Sequence, residues 1–262
     1  MSTSSAQPDA VATPTRCPSG DFQPLPRWRV GHASLIGSRT SNADSYSFSS
    51  HADGRAAFAV ADGIGSRPGA AEAAETAAGT AVSDAAANGN PTQALLEASQ
   101  RLELDQPGGS FGDTVMVLAV MSPAEEADMV TWDIAWVGDC RAYLLDADGL
   151  RQLTHDHTEG QRLRDVGVDE SIAARFDHIV ITTVRHAMDD PAEIGTASVS
   201  SNGRMLLVSD GVGKPLPDDL IEAALTEFPD PTECAQALVE LGVLDDRADN
   251  ATALVIDTSV AS

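Results

Sequence analysis

The chain has 262 residues, 42% of them hydrophobic, which suffices for one large domain or two small ones. Its 16 Lys and Arg against 40 Asp and Glu leave a net charge of -24, which repels phosphate backbones and anionic lipid and argues against a nucleic-acid or membrane-surface role. Three widely spaced cysteines (Cys17, Cys140, Cys234) form no Cys-x-x-Cys pair, so neither a disulfide framework nor a thiolate zinc site follows, and a reducing cytoplasm is favoured.

Met1 to Pro26 is rich in Ser, Thr, Ala and Pro and has no basic start followed by an apolar core, so it reads as a disordered leader and not a secretory signal. Residues 27–262 are expected to form one domain. No apolar run approaches the roughly 18 residues that span a bilayer. Arg27 to Leu35 partly alternates and is the expected first strand; a polar loop with Arg39 and Asp44 leads to a second at Ser45 to Ser49. Asp53-Gly54 signals a hairpin. Ala56 to Ala61 is apolar and too short for a typical helix, hence a buried strand, and it stops at Asp62-Gly63-Ile64-Gly65.

The Ala-rich stretch Ala70 to Ala87 reads as a helix. Thr92 to Leu104 reads as another, with Thr92 as its cap. After the loop Gln106 to Gly109, strands are expected at Thr114 to Met121 and Thr131 to Val137, with Arg141 to Leu145 continuing the latter beyond Gly138-Asp139. Asp148-Gly149 is a turn into Leu150 to Leu153. Thr154 to Ser201 is mixed, with short helical signals at Glu159 to Val166 and Asp169 to Arg175, and Asn202-Gly203 marks a hairpin. A strand at Met205 to Val208 ends in Ser209-Asp210-Gly211, helices follow at Asp218 to Thr226 and Pro231 to Leu241, and Asp249-Asn250 opens a last strand. Strands in adjacent runs with helices between them point to antiparallel sheets flanked by helices.

Asp62, Asp139 and Asp210 each stand where an apolar strand stops, Asp249 stands where one begins, and Asp44 lies in a loop beside a strand. Any one of them alone is better read as a turn or cap residue. Repeated along the chain, the placement favours a shared cleft, where converging carboxylates need cations. Oxygen donors without paired His or Cys suit Mg²⁺ or Mn²⁺ better than zinc.

Seven short segments, in order, resemble the motifs of the PPM/PP2C family of metal-dependent protein serine/threonine phosphatases. They are Arg39-x-x-Asn42-x-Asp44, Val60-Ala61-Asp62-Gly63-Ile64-Gly65, Phe111-Gly112-Asp113-Thr114, Trp136 to Tyr143, Leu153 to Thr158, Val208-Ser209-Asp210-Gly211 and Asp249-Asn250-Ala251-Thr252. The resemblance runs from about Arg29 to Ile256 and implies an α+β fold, a four-layer α-β-β-α sandwich with two central, mainly antiparallel sheets. It implies a binuclear Mg²⁺ or Mn²⁺ centre bridged by Asp62, helped by the Gly63 carbonyl and completed by Asp210 and Asp249. Asp44 would lie beside it, orienting metal-bound water, and Asp139 with Asp210 would hold a third, weaker ion. Arg39 would grip the phosphoryl oxygens, a task that suits its planar donor fork. The implied activity is hydrolysis of phosphoserine and phosphothreonine by a metal-activated water. The implied partners are phosphorylated proteins, among them a Ser/Thr kinase or its substrates.

Three positions depart from the family pattern: Ala43 in place of Glu or Gln, Ile64 where many eukaryotic members have His, and Ser66 in place of a second Gly. Ala43 supports the alternative of a catalytically weak or inactive module that binds a phosphoprotein or kinase. His157 is expected as a structural histidine before an acid-base one. The segment from Glu159 to Ser201 corresponds to a flap beside the site, and its Arg162, Arg164, Arg175 and Arg185 would lend it local basic charge.

Overall fold

The computed structural model describes residues 27–65, 69–105, 112–124 and 129–259. The expected leader, Cys17, Ser66, Phe111 and the loop at Gln106 to Gly109 lie outside them. The first sheet takes β1 (Arg27–Leu35), β6 (Arg141–Asp146), β7 (Gly149–Gln152), β9 (Arg204–Val208) and β10 (Ala251–Ser259), in the order β1-β10-β9-β6-β7. The second takes β2 (Asp44–Ser50), β3 (Ala56–Gly63), β4 (Thr114–Pro123), β5 (Val130–Val137) and β8 (Gly195–Ser200), in the order β2-β3-β4-β5-β8. Every pairing between these strands is antiparallel.

The near-continuous apolar runs of β3 and β4 follow from burial on both faces. Side chains alternate across a strand, so Phe58 and Val60 of β3 and Val115, Val117 and Met121 of β4 enter the core between the sheets. There they meet Leu144, Met205, Leu207, Leu254 and Ile256 of the other sheet. Ala57, Ala59 and Ala61 face the opposite way, against the alanine face of α1 (Ala70–Asn88) and against α2 (Pro91–Asp105). The outer face of the first sheet packs on α6 (Asp218–Glu227) and α7 (Pro231–Gly242) through Tyr143, Leu206, Ile221, Leu238 and Val255. This is the expected α-β-β-α sandwich. Phe58 and Trp132 are fully buried between the layers, each worth roughly 1.5–3 kcal/mol of hydrophobic stabilisation.

Four local expectations are corrected. Arg141 to Leu145 does not continue β5: β5 belongs to the second sheet and β6 to the first, so the chain changes sheets at Gly138-Asp139. Gly138 has φ +85°, and a side chain there would collide with Val115, so only glycine permits the crossing. Asn202-Gly203 is also a crossing and not a hairpin, because β8 pairs with β5 while β9 pairs with β10 and β6. Gly203 lacks the positive φ that a two-residue hairpin turn requires; a side chain there would strike the Leu145 carbonyl instead. The cap of α2 is Asn90, whose side-chain oxygen accepts from the Gln93 N–H at 3.0 Å, with Pro91 rather than Thr92 opening the helix. Finally, β8 emerges inside the stretch read as mixed. By contrast, Asp53-Gly54 does close the β2–β3 hairpin.

Candidate metal centre

The site forms at one end of the sandwich, where strands of both sheets stop. In the β2–β3 pairing Asp44 lies directly opposite Asp62. They share the strand parity of Tyr46, Phe58 and Val60, so both occupy the face turned toward the other sheet. From that sheet Ser209, just beyond β9, donates to Asp44 Oδ2 at 2.7 Å. Thr252 of β10 also bonds the Asp44 side chain, and the Ser209 hydroxyl accepts the Thr252 N–H at 3.0 Å. Thr114 Oγ1 fixes the Asp62 carbonyl at 2.7 Å, and the Gly63 N–H reaches the Ala43 carbonyl at 3.1 Å.

The early polar loop is tied down by Asn250. Its side chain donates to the carbonyls of Ile36 and Ser41 and accepts the Ala43 N–H at 2.8 Å. This holds Arg39 at the rim, ion-paired with Asp249. Asp139 follows the Gly138 crossing and Asp210 opens α5 (Asp210–Gly213).

A cavity of about 350 Å³ is lined by Asp62, Gly63, Asp139, Asp210, Asp249, Arg39, Ile64 and Lys214, with His178 and Val180 from the flap. Five of the residues singled out in sequence thus meet around one space with the Gly63 backbone. Asp44 does not line it but stands beside Asp62. A larger cavity of about 480 Å³ lies elsewhere, between Arg29, Arg204, Pro229 and Asp257. There Asp257 is already bonded by both arginines, so that cavity offers structure, not a free acidic cluster.

Burial raises the carboxyl of Asp62 well above its ordinary range, reinforced by Asp210, Asp44, Asp139 and Asp249. Asp44 is raised to about 7, by burial first and by Asp210 and Asp249 after it, against the Ser209 and Thr252 hydrogen bonds. Asp139 is raised to about 6 by burial and Asp210, with Lys214 opposing. Lys214 donates to Asp139 and, at 3.1 Å, to Asp210. Burial works against its charge, but the two aspartates prevail and hold it protonated.

Among the described residues no three acidic, His or Cys groups form a ready ligand shell; like charges take their partners from Arg39 and Lys214 instead. Yet the donors fit a hard divalent ion. Asp44 Oδ1 and Asp210 Oδ1 are buried without a hydrogen-bond partner, and an orphaned carboxylate oxygen is costly until a cation reaches it. Asp62, Asp210 and Asp249, with the Gly63 carbonyl, could hold such ions.

The residues around 28–171 match the family model described as Protein phosphatase 2C. The chain belongs to the protein phosphatase 2C family. Among its relatives, the Mycobacterium tuberculosis serine/threonine protein phosphatase PstP is 28% identical over 189 residues, 63% of this chain and 37% of that protein. The serine/threonine phosphatase stp of Listeria welshimeri is 26% identical over 64% of each chain. The present chain thus spans from about a third to under two thirds of the length of these relatives. In three dimensions it resembles the catalytic domain of PstP in complex with two manganese ions, at a TM-score of 0.68 and 25% identity, covering 89% of this chain and 99% of that one. Staphylococcus aureus Stp1 shares the fold at a TM-score of 0.73 with 18% identity, covering 94% and 100%.

Three residues do work that sequence spacing does not disclose: Ser209 and Asn250, which stand in the motifs, and Lys214, which stands in none of them. Their partners Asp44, Ser41 and Asp139 lie 165, 209 and 75 residues away, which spacing cannot show. His157 lies against Trp136, with its Nδ1 unpartnered and its pKa lowered, chiefly by burial; it does not line the cavity. Three of the four flap arginines are already paired: Arg162 with Glu159, Arg164 with Glu170 and Asp177, and Arg185 with Glu103. Ala43 is used through its backbone alone, in bonds to Asn250 and Gly63.

Proposed function

We propose that this chain hydrolyses phosphoserine and phosphothreonine in proteins at the acidic cavity. The observation that carries the reading is the meeting of Asp62, Asp139, Asp210 and Asp249, drawn from both sheets, around one space with Arg39 at its rim. Asp62, Asp210, Asp249 and the Gly63 carbonyl would hold two Mn²⁺ or Mg²⁺ ions. Bound there, such ions supply Lewis acidity and bring a water within reach of neutral-pH deprotonation. The chain's own residues do the rest. Asp44, anchored by Ser209 beside Asp62, keeps a free Oδ1 that would orient metal-bound water. Arg39 exchanges Asp249 for the phosphoryl oxygens, with its loop held by Asn250. Ile64 lines the cavity without a transferable proton, so the leaving alkoxide takes its proton from solvent.

Phosphoproteins are the proposed substrates, among them a Ser/Thr kinase or its targets. The buried free thiols Cys140 and Cys234 accord with a reducing, cytoplasmic setting, and among the described residues no helix is long and apolar enough to cross a membrane. The decisive assay is turnover of a phosphothreonine peptide with Mn²⁺. Loss on chelation and in Asp62→Ala supports the reading, and metal-dependent hydrolysis indifferent to Asp62→Ala defeats it. Ion binding with no turnover of any phosphorylated substrate would favour the alternative, a phosphoprotein-binding module.

A further inference from the structure

Asp139 and Asp210 sit across from each other at the cavity, and Asp139 is only 3% exposed. Two carboxylates so placed need a cation between them. An ammonium has three donors, and Lys214 uses all of them here: on Asp139 Oδ2, on Asp210 Oδ2 at 3.1 Å and on the Asp177 carbonyl at 3.0 Å. Its neighbours leave it little freedom. Lys214 is four residues from Asp210 across the single turn of α5, which fixes their spacing. Arg141 grips the Gly213 carbonyl just before it, while holding Asp156 with two bonds at 2.9 and 2.7 Å. Asp177, at the flap end of the bridge, has its own carboxylate locked by Arg164 at 2.6 and 2.8 Å.

We infer that Lys214 is the resident cation of the Asp139–Asp210 pair: its ammonium stands where the family resemblance places a third divalent ion, and it fastens the flap to the sheet end. The inference rests on the two-ion reading above, with which it shares Asp210. A third ion would have to displace a charge covalently attached beside the pair, and therefore present at high effective concentration. Removing that charge while keeping the side chain's bulk leaves two carboxylates with no partner, and they should recruit an ion from solvent. The flap would lose its bond at Asp177 in the same change.

The test is Mn²⁺ stoichiometry of the full chain by titration calorimetry and native mass spectrometry, for the wild type, Lys214→Met and Lys214→Met/Asp139→Asn, with folding verified by circular dichroism. The expected result is one more Mn²⁺ per chain in Lys214→Met than in the wild type, abolished again in the double variant. Hydrogen exchange should quicken around residues 176–181 in both. Equal stoichiometry in wild type and Lys214→Met overturns the inference, whatever the number. A wild type that binds no Mn²⁺ instead defeats the two-ion reading, while a gain of one ion in Lys214→Met would still uphold the role of Lys214.

Discussion

Ser209, at the end of a strand in one sheet, donates a 2.7 Å hydrogen bond to Asp44, at the start of a strand in the other. The same hydroxyl accepts the Thr252 N–H, so one fully buried oxygen joins both layers at the floor of the site. Ser209→Ala leaves the Thr252 N–H and an Asp44 oxygen without that partner, at a cost of about 1–3 kcal/mol. Urea denaturation should show it as a lower midpoint with an unchanged slope. A loss below about 0.5 kcal/mol, the ordinary surface range, would mean that the bridge contributes nothing.

The raised carboxyls of Asp44, Asp62 and Asp139 make stability depend on pH. An acid whose folded pKa exceeds its unfolded value binds more protons when folded, so its contribution is full below the unfolded pKa and disappears as pH rises through the folded one. With Asp139 at about 6 and Asp44 at about 7, the chain in EDTA should lose stability between pH 5 and pH 7.5. Mn²⁺ should therefore raise the melting temperature more at pH 7.5 than at pH 5, with protons released on binding. A metal-induced rise that is equal at both pH values would contradict this.

Asp62→Asn separates the two roles of that residue. It removes a buried charge repelled by four others, so in EDTA at pH 7.5 the variant should melt at or above the wild-type temperature. Phosphopeptide turnover with Mn²⁺ should nevertheless fall by at least about a hundredfold, since disturbing even the groups that support a metal ligand costs about 10–100-fold. A variant that is both less stable and active would reverse the assignment.

Asn250→Ala removes three bonds that pin the loop carrying Arg39. A loss of about 2–3 kcal/mol is expected from the buried partners left behind. Because the loop positions Arg39 rather than the acidic floor, KM for a phosphopeptide should rise more than kcat falls. An unchanged KM would place Arg39 outside substrate binding.

Gly138→Ala meets two obstacles at once, a positive φ and the Val115 side chain. Thermal or chemical denaturation should register more than the roughly 1 kcal/mol of conformational penalty alone.

Most of the architecture could be read from the residues. The apolar runs of β3, β4, β9 and β10 are long enough, and the helical Ala and Leu stretches distinct enough, that their bounds emerged within a few residues. The strand-end aspartates likewise pointed to a shared cleft. What stayed hidden was partnership. Gly138-Asp139 and Asn202-Gly203 look like local turns, and only three-dimensional pairing shows that each carries the chain between sheets. Gly195 to Ser200 is a polar edge strand of small residues, with alternating exposure and no apolar run to announce it. Lys214 shows only its near neighbour Asp210 in sequence, while its other carboxylate partner, Asp139, lies 75 positions earlier. Arg164 and Arg185 read as available charge because their carboxylate partners lie 6 to 82 positions away.

The acidic groups are divided between two slabs whose interface is mostly hydrocarbon. Asp44 and Asp62 ride on one slab, Asp210 and Asp249 on the other, and Asp139 on the strap between them. The gap across which they cooperate is therefore measured out by the thickness of the filling, by residues such as Phe58, Trp132 and Leu254. Thinning or swelling that filling would detune the chemistry from a distance, without any change to a group that touches it.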